Sequence, residues 1–238
     1  MKREVGEEMN KERKIAIIVG VLFLIALVFN IIAMPIYQPI LSAEDFLTTA
    51  YPQNYKIVVG MLLDFICIPA IILIPIMLFP LFKKVNESLA IGYIVFRAIE
   101  GILFIISLIG YMSLLSLSQI YQSSGSPDSS HYQALGNSIK AGNEWIFMIY
   151  IIFFAFGALI LNYLLYTSKL VPIFISVWGF LAGIFMLVGA VVGMFGSIEA
   201  MKIMTICGPP IGLNEFVLVI WLLFKGFTSS SSVLNTKK

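Results

Sequence analysis

Charged residues are scarce in this chain, and their scarcity leaves little room for a soluble domain. They make up 12% of the 238 residues, against about 25% in ordinary soluble domains, whereas apolar residues make up 60%. The apolar residues form six long runs. A helix of about 20 residues is enough to cross a hydrocarbon core of roughly 30 Å. The net charge of +2 is too small to indicate a nucleic-acid partner.

Histidine and cysteine are also rare, which limits the chemistry available to the chain. His131 is the only histidine, so a helical zinc site with two histidines is excluded. The two cysteines, Cys67 and Cys207, lie inside apolar runs and form no CxxC pair, so they leave the redox compartment open. No GxSxG motif occurs, and no apolar run contains adjacent glutamates, so an intramembrane hydrolase has little support. We predict neither a metal nor a cofactor.

The six apolar runs predict an all-α, polytopic transmembrane helix bundle. The transmembrane domain covers residues 15–227, with spans at about 15–37, 57–82, 89–117, 145–166, 172–195 and 203–225. A charged segment at residues 1–14 precedes it, and the first run is too long for the apolar core of a secretory signal. Residues 228–238 are polar and predict a disordered tail, because they offer little apolar surface to bury.

The lysines and arginines are unevenly distributed between the two ends of the predicted spans. With an even number of spans both termini lie on one side, and that side receives eleven of the fifteen Lys and Arg residues. The other side receives three, which are Lys56, Lys140 and Lys202. The positive-inside rule therefore places both termini in the cytoplasm.

Two segments predict local irregularities. The sixth run contains Cys207-Gly208-Pro209-Pro210-Ile211-Gly212, and adjacent prolines remove backbone donors and clash with the preceding turn. We therefore expect a break or a sharp bend in that span, as at the binding sites of many transporters. The longest polar loop contains Ser126-Pro127-Asp128, which is typical of a helix start. It predicts a short surface helix over Pro127 to Lys140, separate from the fourth span.

The most distinctive residues are two opposite charges in the middle of the third run. Arg97 and Glu100 are three residues apart, so they share one face of a helix. A charge at that depth costs on the order of 3 kcal/mol, so it marks a function or a buried pair. Helical rise places Glu215 of the sixth run at about the same depth. We hypothesise that both glutamates approach Arg97, as a structural ion pair or triad or as a binding or proton-relay site.

Other polar residues extend this picture to a funnel that opens outward. Asp64 lies about 10 Å inside the outer face of the second span and has no partner nearby in sequence. Glu144, His131 and Tyr111 are candidates for the outer mouth. Glu144 precedes Trp145 and is typical of an interfacial anchor with a capping role, whereas a lone histidine in a polar loop is usually only solvated.

Three classes of function stay open on these residues. The first is a binding, sensing or accessory membrane protein with a polar intramembrane cavity, which the absence of any transport or catalytic motif favours. The second is a transporter of small molecules or ions, supported by the interrupted sixth run and the midplane charges. The third is an enzyme of lipid or envelope chemistry. The expected partners are membrane lipids and a small-molecule or cationic ligand, because two acids against one arginine leave an excess negative charge.

Four segments carry a resemblance to a known family. They read LFPLFKKVNESLAIGYIVFRAIEG, SSGSPDSSHYQALG, LLYTSKLVPIFISVWG and GLNEFVLVIWLLFKGF. Together with the apolar first run they resemble the membrane proteins grouped as domain of unknown function 4386, from about Lys14 to Phe227. The resemblance implies a six-span protein of the bacterial cell membrane. It implies no activity.

Overall fold

The computed structural model describes residues 2–125, 128–196 and 199–228, and every regular element within these ranges is helical. The helices are α1 (Lys2–Ser42), α2 (Phe46–Thr49), α3 (Asn54–Phe82), α4 (Glu87–Ser123), α5 (Ser129–Ser168), α6 (Ile173–Met194) and α7 (Ala200–Phe224), with a short 3-10 turn at Tyr51–Gln53. All except α2 are long and apolar enough to cross a membrane. The prediction of an all-α fold with six spans is confirmed. The predicted disordered tail, from residue 229 onward, lies outside the described residues.

The six long helices form a closed ring. Each packs against its neighbours along the chain, and α1 packs against α7 to complete the ring. Buried apolar side chains gather in two clusters, one towards each end of the bundle. Along α4, Tyr93 belongs to one cluster and Phe104 to the other. Arg97 and Glu100 therefore lie between the two apolar layers.

The prediction of a surface helix separate from the fourth span is wrong, because α5 is continuous from Ser129 to Ser168. The carboxylate of Asp128 accepts the backbone N–H of Ser130 at 3.0 Å and caps the start of the helix. Nothing between Lys140 and Trp145 stops a helix, since that stretch holds no proline. The Asn143 side chain also fixes the helix on its neighbour by donating to the Ser107 carbonyl at 3.2 Å.

The predicted break in the sixth span is also wrong, because α7 runs through Pro209 and Pro210 as one helix, whereas the sharp bend stays a prediction. Membrane helices tolerate interior proline where neighbouring groups satisfy the freed carbonyls. Beyond the prolines, the side chain of Asn214 donates to the Ile175 carbonyl of α6 at 2.7 Å. This buried bond ties the second half of α7 to the bundle.

At one end of the two helices, α1 contacts the last turn of α7. The Arg13 guanidinium donates to the carbonyls of Leu222 and Leu223, at 3.0 and 2.7 Å. These carbonyls belong to the last turn of α7, where a cation is favoured by both hydrogen bonding and the helix dipole. Gly20 packs so closely on the same turn that a Cβ there would lie 2.9 Å from the Leu223 side chain.

Candidate functional site

Arg97 and Glu100 form a buried ion pair within α4. Arg97 Nη1 lies 2.9 Å from Glu100 Oε2, and the two side chains are 5% and 1% exposed. The guanidinium carbon also lies 5.8 Å from the centre of the Phe154 ring on α5, at cation–π distance. The third span therefore carries its charges as a pair that is shielded from lipid by the neighbouring helix.

The ion pair does not use all the hydrogen-bonding capacity of Arg97. A guanidinium has five N–H donors, and Nε of Arg97 is buried with no hydrogen-bond partner in the described structure. The hydroxyl of Tyr93, four residues earlier on α4, is likewise buried without a partner among the described residues. Orphaned donors of this kind are rare and mark a place where a partner is expected.

A cavity of about 550 Å³ adjoins the ion pair. It is bounded by five helices, α1, α3, α4, α5 and α7. Most of its lining is apolar. The side chains that carry charge or hydrogen-bonding groups are Asn30, Cys67, Arg97, Glu100, Tyr150 and Glu215. The structure therefore brings Arg97, Glu100 and Glu215 to one cavity, although Glu215 is more than a hundred residues away from the other two in sequence.

Glu215 lies at this cavity without joining the ion pair. It is half-buried on α7 and lies within electrostatic range of both Arg97 and Glu100. Among the contacts of the described residues it has no salt bridge and no hydrogen bond to Arg97. The two acids and one base therefore leave one carboxylate of the site without a direct countercharge among the described residues.

Asp64 belongs to a separate cluster beside the cavity. It is completely buried on α3, does not line the cavity, and accepts the Tyr37 hydroxyl at 2.8 Å through Oδ2. Its other oxygen has no hydrogen bond of good geometry within the described structure. Tyr37 in turn packs edge-on against Tyr111, with ring centres 5.3 Å apart. Asn30 interacts with the Asp64 carboxylate and also lines the cavity, so it connects the two groups.

The three residues predicted at an outer mouth do not line the cavity. Glu144 is exposed, and its Oε1 accepts the backbone N–H of Ala200 at the start of α7, where the helix dipole favours a negative charge. His131 is exposed and packs edge-on against Tyr132. Tyr111 is half-buried against Tyr37, as described above. The surface that the cavity presents to the outside is instead made of apolar side chains from α1 and α7.

Sequence reasoning missed Asn30, Tyr37 and Tyr150. Asn30 is the only uncharged amide in the first apolar run, and that was a usable signal. Tyr37 lies at the predicted end of a span, where a tyrosine is typical of the membrane boundary. Tyr150 lies among seven other aromatic residues of the fourth run and carries no distinguishing pattern.

No group of three His, Cys, Asp or Glu side chains that could hold a metal occurs within residues 2–125, 128–196 and 199–228. The family described as Domain of unknown function (DUF4386) matches residues 18–226. The match covers most of the chain, so the chain belongs to this family, and the resemblance seen in the sequence is confirmed. No curated protein and no solved structure matches it. The six apolar helices and the family fit a multi-pass integral membrane protein of unknown activity.

Proposed function

We propose that this member of the DUF4386 family is an integral membrane binding protein whose intramembrane cavity holds a small molecule or a cation beside Arg97, Glu100 and Glu215. The observation that carries the proposal is a cavity beside polar groups that have no hydrogen-bond or ion-pair partner in the described structure. A volume of about 550 Å³ lies in the range of small-molecule sites, whereas a close-packed interior leaves few voids larger than a water molecule.

A purely structural ion pair does not account for this arrangement. Removing charges from water is costly, and a pair kept only for packing is best enclosed and fully hydrogen-bonded. Here Arg97 keeps an unpaired donor, and Glu215 has its carboxylate at the edge of the cavity. Both groups gain a partner if a ligand with a polar or charged end occupies the space.

Transport and catalysis have less support. The transport hypothesis drew on a break in the sixth span, and α7 is continuous there. The enzyme hypothesis has no nucleophile paired with a base at the cavity, whose ionisable groups are the guanidinium, the two carboxylates, the Tyr150 phenol and the Cys67 thiol. We therefore keep binding as the proposed function.

The test compares ligand-induced stabilisation in a cavity-filled variant and in a matched control. Gly212 lines the cavity, and a Cβ added there would meet nothing within 4 Å, so Gly212→Leu fills space without a first-atom clash. Gly142 has equally open surroundings on α5 and lies outside the cavity, so Gly142→Leu makes the same change elsewhere. Each protein is placed in phosphatidylcholine nanodiscs and unfolded by heat with dodecylamine, dodecanoate or dodecanol.

The proposal expects at least one of these probes to raise the Tm of the wild type and of Gly142→Leu but not that of Gly212→Leu. Two results overturn it. One is that no probe raises the Tm of the wild type. The other is that Gly212→Leu responds as strongly as the control, because stabilisation would then come from somewhere other than this cavity.

We also propose that both termini lie in the cytoplasm and that the membrane is the bacterial cell membrane. Eleven of the fifteen Lys and Arg residues fall on the side of the termini, and the positive-inside rule assigns that side to the cytoplasm. The six spans support placing both termini on one side, because an even number of crossings returns the chain to its starting side.

A further inference from the structure

The geometry points to a specific class of ligand, and this inference rests on the proposed function: we propose that the cavity takes a membrane-partitioned amphiphile with a positively charged head, a lipophilic amine. We propose further that it enters sideways from the bilayer, between α1 and α7. Four features carry this proposal, namely the different neighbours of the two halves of α1, the exposed side chains between α1 and α7, the apolar lining with three charged residues, and the charge balance of those residues.

The first feature is that the two halves of α1 are held by different neighbours. Arg13 and Gly20 of α1 contact the last turn of α7. Further along α1, Gly60 of α3 packs so tightly on α1 that a Cβ there would lie 2.7 Å from the Tyr37 ring. The first half of α1 is thus held on α7, and the second half is held on α3.

The second feature is a set of exposed side chains where the cavity lies between α1 and α7, a place called the gap below. Ile31 of α1 and Leu213 and Phe216 of α7 line the cavity and are also 62%, 57% and 46% exposed. They lie inside the apolar spans, so the medium they face is the acyl chains of the bilayer. Gly208 and Gly212 present no side chain along the same wall of α7, and an added Cβ would meet only Met204 at 3.9 Å, or nothing.

The third feature is the composition of the lining. Most of it is apolar, including Leu27 and Met204, and its charged residues are Arg97 and Glu100 on α4 and Glu215 on α7. A molecule with one polar end matches this lining if its head lies against Arg97, Glu100 and Glu215 and its tail contacts the apolar side chains and extends towards the lipid. Amphiphiles partition into the bilayer, so they are concentrated where the gap opens.

The fourth feature is the balance of charge among Arg97, Glu100 and Glu215. One guanidinium faces two carboxylates, and the guanidinium is already bonded to Glu100 at 2.9 Å. An ammonium head would neutralise the remaining carboxylate of Glu215, and opposite charges attract strongly in a low-dielectric site. A carboxylate or phosphate head could accept a hydrogen bond from the unpaired Nε–H of Arg97, but it would lie close to the carboxylates of both Glu100 and Glu215. The charge balance therefore favours a cation over an anion.

The test uses a photoreactive dodecylamine with a diazirine in its alkyl chain and the carboxylate with the same chain. Both are irradiated with the wild type in phosphatidylcholine nanodiscs, and the labelled peptides are mapped by mass spectrometry. We expect the amine to label the segments around Ile31 and Leu213 about tenfold more than the carboxylate does, the effect of one good charge pair. The exposed α6 residue Leu181 serves as the reference for labelling by lipid-phase probe alone.

Two variants separate the site from the bilayer. Glu215→Gln, which keeps the shape of the side chain, is expected to lower amine labelling about tenfold. Gly142→Leu is expected to leave it unchanged. If Glu215→Gln does not fold, Gly212→Leu replaces it, because it narrows the path without touching a charge. An excess of water-soluble propylamine is expected not to compete, since it lacks the tail that reaches the bilayer.

Each contrary outcome overturns a defined part of the proposal. Equal or stronger labelling by the carboxylate overturns the cationic head, and effective competition by propylamine overturns entry from the bilayer. Labelling at Leu181 equal to that at α1 and α7 overturns the lateral site altogether. In each of these cases a Gly212-dependent rise in Tm with any probe would still support the proposed binding function, so the two failures are distinguishable.

Discussion

Gly157 of α5 leaves the space that the side chain of Arg97 occupies. A Cβ at position 157 would lie 3.0 Å from Arg97 Cδ and 3.9 Å from the nearest Glu100 carboxylate oxygen. The first distance is shorter than ordinary van der Waals contact, whereas the second is normal. The absence of a side chain on one helix therefore fixes where the charge on another can lie.

Gly157→Ala is expected to destabilise the protein although alanine is the better helix former. Alanine in a helix gains up to about 1 kcal/mol over glycine, but crowding a packed site costs about 1–3 kcal/mol. The guanidinium would have to shift away from Phe154 or from Glu100. Thermal unfolding of the purified protein measures the change.

The control for this substitution is Gly92→Ala on α4. A Cβ at Gly92 would meet only Ile160 Cδ1, at 3.9 Å, so alanine fits there without displacement. We expect this variant to be as stable as the wild type or slightly more stable. Equal gains in stability at positions 92 and 157 would show that Arg97 does not depend on the gap at Gly157.

The ion pair of Arg97 and Glu100 predicts strong non-additivity. Arg97→Met leaves a buried carboxylate without its partner, which typically costs about 3–5 kcal/mol. Arg97→Met combined with Glu100→Met removes both charges, and we expect most of that stability to return. A double-mutant cycle on the free energy of unfolding measures the coupling. Additive losses in the double variant would mean that the two side chains do not stabilise each other.

The general architecture could be predicted from the sequence because its causes are local. Each span depends on the composition of one run, and the pairing of Arg97 with Glu100 depends only on a spacing of three residues. The positions of Gly157 and Asn30 beside these charges depend on how separate helices pack, and no periodicity within a run encodes that. Its charge predicts Asp64 at the cavity. In the structure Asp64 instead accepts the Tyr37 hydroxyl, and only its neighbour Asn30 lines the cavity.

The two wrong predictions about helix continuity have a common cause. Pro209-Pro210 indicates an interruption for helices in water, and the polar stretch over Pro127 to Lys140 indicates a surface helix separate from the fourth span. In the bundle, Asn214 of α7 donates a hydrogen bond to α6, and Asn143 of α5 donates one to α4. Tertiary hydrogen bonds therefore decide continuity where local signals favour an interruption.

The hydrogen bond from Tyr37 to Asp64 predicts an asymmetric effect of removing either partner. Tyr37→Phe leaves a fully buried carboxylate without its only hydrogen bond of good geometry among the described residues, at a cost of about 1–3 kcal/mol. Asp64→Asn keeps an acceptor for the Tyr37 hydroxyl and removes the buried charge, so we expect a smaller loss or a gain. Thermal unfolding of both variants in one detergent measures the difference.

Tyr111→Phe is the control for the Tyr37 substitution. Tyr111 packs on Tyr37 through its ring, at 5.3 Å, and its hydroxyl does not bond to Asp64 in the described structure. This change should therefore leave stability near that of the wild type. A loss at position 111 as large as that at position 37 would mean that general crowding of the aromatic cluster, and not the hydrogen bond to Asp64, is being measured.

The last prediction concerns the proposed orientation in the membrane. Ser88 and Ser124 are both exposed, near the two ends of α4, so cysteines at these positions report on opposite sides. With both termini in the cytoplasm, a membrane-impermeant maleimide should label Ser124→Cys in intact cells and Ser88→Cys only after permeabilisation. The native Cys67 and Cys207 are buried and are expected to react weakly, and the unsubstituted protein measures that background. Labelling of Ser88→Cys and protection of Ser124→Cys in intact cells would invert the topology and place the lysine-rich turn outside, against the positive-inside rule.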